Sequence, residues 1–160
     1  MQNLARNLIP AAFFLLSLGA NPQAMKTDHW SPTQLLERAA HLRQLAAQGE
    51  GAASETLETY PHHYTMLAFR SKDGSGELHQ NFADLFYILD GHVTLLTGGE
   101  VVDARTTAPG EVRGPSVKGG TAQELKAGDV VHIPANTPHQ MLVAAGDTVT
   151  YFVVKIQENQ

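Results

Sequence analysis

From Glu55 to Ile156 the chain is written in short runs of apolar and polar residues, many closed by a pair that turns the backbone, such as Gly98-Gly99, Gly128-Asp129 and Gly146-Asp147. Alternation with a period of two turns one face of a run toward a core and the other toward water, which is the pattern of a half-buried strand. ETLETY and YTMLAFR lie on either side of Pro61, and the Asp73-Gly74 pair of KDGSG suits a hairpin. ADLFYILDG, HVTLLTGG and VVDA follow as short strands separated by Gly91 and Gly98-Gly99, and then come TAQELK, VVHIP, HQMLVA and TVTYFVVKI. Many short strands at regular spacing make a sandwich or a barrel. Between them, Arg105 to Gly120 carries Pro109, Gly110, Gly114, Pro115, Gly119 and Gly120 and reads as a long loop that roofs a site or meets a partner subunit.

Ahead of the strands, SPTQLLERAAHLRQLAAQG reads as a helix. Ser31 is its cap, Pro32 sits in the first turn, Gln34 completes a capping box and Gly49 ends it. Leu35, Leu36, Ala39, Leu42, Leu45 and Ala46 form its apolar stripe, which is expected to cover the outside of the sheet. Further upstream, Arg6 precedes the apolar run LIPAAFFLLSLGA from Leu8 to Ala20. That run is too short to span a bilayer and fits the core of a secretory signal peptide, cut after Gly19 or after Ala24. The expected organisation is a leader over residues 1–24, a helical arm over 25–54 and one barrel over 55–160, with a periplasmic or secreted location and no membrane contact once the leader is removed. If Met25 is the true start, the protein is cytoplasmic.

The 160 residues allow a single domain with a real core. The formal charge is −5 and the eleven Lys and Arg are scattered, so no nucleic acid partner is expected, because phosphate binding needs clustered cations. With no cysteine, neither a disulfide nor a thiolate can contribute, and any metal must be held by nitrogen and oxygen.

Two stretches carry chemistry. In GELHQNFADLFYILDG, Glu77 and His79 stand two apart and leave the same face of a strand, and Asp84 opens the next run with Phe86 and Ile88 on its own face. In GDVVHIPANTPH, His139 follows a turn built from Pro134, Asn136 and Pro138. Two imidazoles and up to two carboxylates from strand ends suit a hard or borderline divalent metal. The other histidines read as bystanders: His41 solvated on the helix, His62 and His63 in a loop, and His92 and His132 on an outer face or at the wall. Gln140 is expected to face away from His139, and Tyr87 to pack against the helix or a dimer partner. Arg70 and Tyr64 are candidates to orient a carboxylate substrate if they face inward.

These two stretches resemble the paired motifs of the cupins. The first cupin motif has a His-x-His pair, three or four residues, a glutamate, six residues and a glycine. Glu77-x-His79, four residues, Asp84, six residues and Gly91 fall into that frame. The second has a glycine, five residues, Pro-x-Gly, two residues, a histidine, three residues and an asparagine. Gly128, Pro134-x-Asn136 and His139 match it, with Val143 where the asparagine would stand. The resemblance covers about residues 55 to 156 and implies an all-β fold, an antiparallel jelly-roll β-barrel with a short N-terminal helix, holding one metal in its mouth. The departures are Glu77 for the first histidine and Asp84 for the glutamate. The implied ligands are Glu77, His79 and His139, with Asp84 either a fourth ligand or the acceptor of a histidine N–H. The ion is Fe, Mn, Zn or Ni.

The implied activity is that of a metalloenzyme on a small organic molecule, of dioxygenase or of lyase or isomerase type, with a carboxylate, Glu77 or Asp84, moving the proton. The alternatives are a non-catalytic small-molecule or sugar binder of the cell envelope, and a structural cupin without metal. Against the last, two inward carboxylates in one pocket are costly without a counter-charge. An apolar outer sheet face that includes Leu85, Tyr87 and Leu89 leads to the expectation of a homodimer.

Overall fold

The computed structural model describes residues 27–158; the expected leader lies outside the described residues. Helix α1 (Pro32–Gln48) begins as its sequence requires: Ser31 Oγ accepts from the Gln34 N–H at 3.3 Å while Gln34 Oε1 accepts from the Ser31 N–H at 2.9 Å. Leu35, Ala39, Leu42 and Ala46 are buried, whereas Leu36 and Leu45 stay exposed, so the stripe is narrower than the sequence reading.

The strands are β1 (Ala52–Thr59), β2 (His63–Arg70), β3 (Gly76–His79), β4 (Phe82–Thr97), β5 (Glu100–Val101), β6 (Arg105–Ala108), β7 (Glu111–Gly114), β8 (Val117–Lys118), β9 (Thr121–Lys126), β10 (Val130–Ile133), β11 (His139–Leu142) and β12 (Val149–Gln157). The first begins at Ala52, three residues before the expected Glu55. All pairings are antiparallel, in the order β1-β2-β12-β4-β11-β3-β7-β6, with β9 and β10 also on β4 and a separate β5–β8 ribbon.

Three expectations are corrected by this topology. Gly91 does not end a strand: β4 runs through it, pairing with β12 and β10 before it and with β9 and β11 after it. Gly91 makes that passage by adopting φ 78°, and a Cβ there would collide with the Thr148 carbonyl oxygen. The Asp73-Gly74 turn closes no hairpin, because β2 pairs with β1 and β12 while β3 pairs with β11 and β7. The segment from Arg105 to Gly120 is no loop. Pro109-Gly110 joins β6 to β7, and β7 continues the sheet beside β3. The density of Gly and Pro marked the turns correctly but hid the Glu-Val-Arg alternation between them.

Two apolar clusters follow from strand alternation. Inside the barrel, Ala68, Phe86, Ile88, Val93, Leu95, Leu125, Ile133, Met141, Val149, Tyr151 and Val153 make the floor under the site. Outside it, Leu67 and Phe69 of β2 pack against Leu35, Ala39, Leu42 and Ala46 of α1, with Leu89 and Phe152 beside them. Successive residues of β2 therefore serve opposite faces, and Met66, Ala68 and Arg70 are left to line the interior cavity.

Candidate metal centre

Glu77 and His79 leave one face of β3, and the register sets His139 of β11 directly beside Glu77 on the neighbouring strand. The turn before His139 is tied to the same place. The Asn136 N–H donates to the His79 carbonyl at 2.8 Å, and Asn136 takes the left-handed φ of 61° that asparagine tolerates where the family motif has glycine. One backbone contact thus fixes the second motif to the first.

Both imidazoles present the same nitrogen to the site. His79 Nδ1 lies 2.7 Å from Glu111 Oε2, and His139 Nδ1 lies 3.0 Å from the Thr137 carbonyl. A carboxylate and a carbonyl only accept, so each Nδ1 carries the proton and each Nε2 turns its lone pair toward the carboxylates. His79 Nε2 stands 3.5 Å from Glu77 Oε2 and 3.5 Å from Asp84 Oδ2; His139 Nε2 stands 4.0 Å and 3.5 Å from the same two atoms. With bonds of about 2.0–2.2 Å to nitrogen and oxygen, donors around one ion stand about 3.0–3.6 Å apart. Three of the four separations fall in that range, and the fourth, His139 Nε2 to Glu77 Oε2 at 4.0 Å, lies just outside it. Glu77, His79 and His139 could therefore hold one ion after a small shift, with Asp84 Oδ2 at 3.5 Å from both imidazoles. The role of accepting a histidine N–H, expected as one alternative for Asp84, belongs to Glu111.

The electrostatics divide the ligand set. Glu77 and His139 are held toward their deprotonated forms. Burial and the Lys155 charge would lower the His79 imidazole, but they are outweighed by its carboxylate neighbours Glu77, Asp84 and Glu111, which raise it. Burial alone would raise the Glu77 carboxyl, but the positive charges of Arg113 and Arg70 beside it outweigh that effect and hold the group well below the usual carboxylate range. Arg113 Nη1 forms a close ion pair with Glu77 Oε1, and Arg70 Nη2 lies 3.8 Å from the same oxygen. Burial lowers the His139 imidazole, against the raising effects of its bond to Thr137 and of Asp84 and Glu77. Neutral imidazole is the form that ligates.

The chain matches no family profile and no curated protein. Solved structures resemble it. A cupin-2 domain protein from Rhodospirillum rubrum is 14% identical, over 69% of this chain and 62% of its own, with a TM-score of 0.50. This chain has the cupin fold. A Thermus thermophilus protein aligns more completely with the cupin barrel, over 78% of this chain and 95% of its own, at 17% identity and a TM-score of 0.52. The DMSP lyase DddQ from Ruegeria pomeroyi is 14% identical over 68% of this chain, with a TM-score of 0.50. The barrel spans about half the length of that lyase, 48%.

The mouth of the cupin barrel also holds residues that the sequence reading passed over. Lys155 is the Cα partner of Asp84 across β12 and β4; its Nζ lies 2.6 Å from Asp84 Oδ1, an ion pair without hydrogen-bond alignment, and 2.7 Å from His79 Nε2. Glu111 and Arg113 face His79 and Glu77 from β7. Lys155 was readable in principle, since period-two alternation puts it on the face of buried Tyr151 and Val153. Arg70 does line the cavity, where its Nε donates to Tyr151 Oη at 3.0 Å, and Tyr64 lines it too. The cavity measures about 320 Å³.

The remaining residues stand as bystanders. His41, His62 and His132 are exposed, His92 pairs with Asp147 at 2.7 Å on the surface, and His63 belongs to β2 and stacks on Tyr60. Gln140 faces away from the site as expected, accepting from the Val117 N–H and donating to the Gly74 carbonyl. Val143, in the place of the motif's asparagine, is buried among apolar residues.

Proposed function

We propose that this cupin is a divalent-metal-dependent enzyme acting on a small organic anion by proton transfer, in the manner of a lyase or isomerase. The observation that carries the reading is the pair of imidazoles whose Nδ1 protons are both engaged, so that two Nε2 lone pairs converge with Glu77 and Asp84. Glu77, His79 and His139 would hold the ion, with Asp84 Oδ2 beside them. A divalent ion supplies Lewis acidity to a substrate oxygen when bound.

Around the cavity, the cations Arg70, Arg113 and Lys155 face the carboxylates Glu77, Asp84 and Glu111 in equal number. A divalent ion would leave positive charge in excess, and an anionic substrate offsets it. The volume suits a small molecule, at the low end of ligand pockets. Glu77 is pinned by two arginines and stays ionised, which makes it a ligand and a poor proton carrier. Asp84 and Lys155 form the adjoining acid–base pair, and in this reading they pass the proton to and from the substrate.

The test is a panel of small hydroxy acids, keto acids and sugar acids, followed by product analysis and an oxygen electrode. Metal-dependent turnover without oxygen uptake is expected. Turnover coupled to oxygen uptake reassigns the site to dioxygenase chemistry, and binding without turnover reassigns the protein as a small-molecule binder.

A further inference from the structure

We infer that Lys155 is a built-in competitor of the metal ion, its ammonium resting on the ligand atoms that the ion must take. The inference rests on the metal-binding reading above and adds to it a residue that sets how tightly the ion is held.

Lys155 Nζ lies 2.7 Å from His79 Nε2 and 2.6 Å from Asp84 Oδ1, and its side chain is only 11% exposed. Because Nδ1 of His79 donates to Glu111, Nε2 has a single lone pair, and that lone pair accepts from the ammonium. The 3.5 Å separation of the same nitrogen from Glu77 is too long to rival it. One lone pair cannot serve an ammonium and a metal together. An ion therefore enters only by moving Nζ off His79, while Asp84 remains as a partner for the displaced charge.

The backbone leaves Lys155 little choice of direction. β12 is paired on both sides, with Tyr64 of β2 and Asp84 of β4 flanking Lys155, so the side chain is committed to the interior face. Asp84 is 2% exposed and needs a counter-charge there. Lys155 supplies one when no ion is bound, and the conformation that supplies it does not bind the ion. The measured dissociation constant is then the intrinsic one divided by the fraction of molecules with Nζ displaced. Removing the ammonium removes that factor. A lysine serving only to stabilise the fold would have the opposite signature, since its loss would weaken or leave unaltered the affinity for metal.

The experiment titrates zinc and manganese into metal-stripped full-length wild type, Lys155→Met and Lys155→Gln, using a competing chelator for affinity and thermal melts of each metal-stripped protein. Both variants should bind roughly tenfold more tightly or better. Their metal-stripped melting points should fall by several degrees, and the ion should restore more of that loss than it adds to wild type. Lys155→Gln keeps a hydrogen-bond donor for Asp84 and guards against loss of folding in Lys155→Met. Wild type that binds an ion while both variants bind it equally or more weakly overturns this inference alone. Wild type and variants that all fail to bind overturn the metal reading as well.

Discussion

Glu111 Oε2 lies 2.7 Å from Nδ1 of His79, across the antiparallel register of β7 and β3. The carboxylate accepts the ring proton and sets both the tautomer and the angle of the imidazole, so a residue that touches no ion prepares a ligand for one. Glu111→Ala should weaken zinc affinity by roughly ten- to hundredfold. Glu111→Gln, which keeps an accepting oxygen, should recover most of the loss. Chelator competition on the three proteins checks this, and an unchanged affinity in Glu111→Ala would show that His79 is oriented by other contacts.

Acid should destabilise the metal-stripped protein once the pH falls below the ordinary carboxylate range. Near pH 6.5 two imidazoles act in opposite senses: burial depresses His139, so its protonation costs stability as pH falls, whereas carboxylate neighbours raise His79 despite its burial, so its protonation adds stability over the same fall. The Glu77 carboxyl is held down by Arg113 and Arg70 despite burial, so its contribution is complete above about pH 4.3 and is lost as pH falls further. Urea titrations at several values between about pH 5 and pH 3.5 should give a falling midpoint, with a shallower fall in Glu77→Gln. A midpoint that holds constant across that range would contradict the electrostatic description.

How much of this could be read in advance depended on whether the signal was local. Glu77, His79 and His139 declare themselves through strand alternation and a proline turn, and the capping box of Ser31 and Gln34 places α1, because each pattern closes within a few residues. Glu111 and Lys155 reach His79 from 32 and 76 positions away. Which residues sit opposite each other is a property of register between strands, and no short window contains it. Gly91 misled for a related reason: a left-handed glycine reads as a strand end, yet here it lets one strand serve both halves of the barrel.

Gly91 and Gly98 offer a matched pair to test that role. Both have φ 78°, but a Cβ on Gly91 would strike the Thr148 carbonyl, whereas nothing lies within 4 Å of one on Gly98. Gly98→Ala should therefore lose about 1–2 kcal/mol from the left-handed backbone alone. Gly91→Ala should lose clearly more, because β4 or β12 must also shift. Equal losses in denaturant titrations would mean that the Gly91 passage is not closely packed.

Among the described residues, the outer face of the sheet is only partly covered. Leu89 and Phe152 lie under α1, but Tyr87 and its strand partner Val130 remain 36% and 61% exposed. A homodimer through this face is expected at micromolar concentration, and Tyr87→Glu should dissociate it. Light scattering that finds wild type monomeric would count against the assignment.

The central claim is that Glu77, His79 and His139, with Asp84 beside them, hold one divalent ion, and elemental analysis tests it most directly. Wild type, Asp84→Asn and His139→Ala would each be expressed with Fe, Mn, Zn and Ni supplied in turn. The account predicts close to one ion per wild-type chain with at least one of these metals, reduced content in Asp84→Asn, and almost none in His139→Ala. A wild-type protein that stays metal-free under all four supplies, and no more stable than His139→Ala, would contradict it.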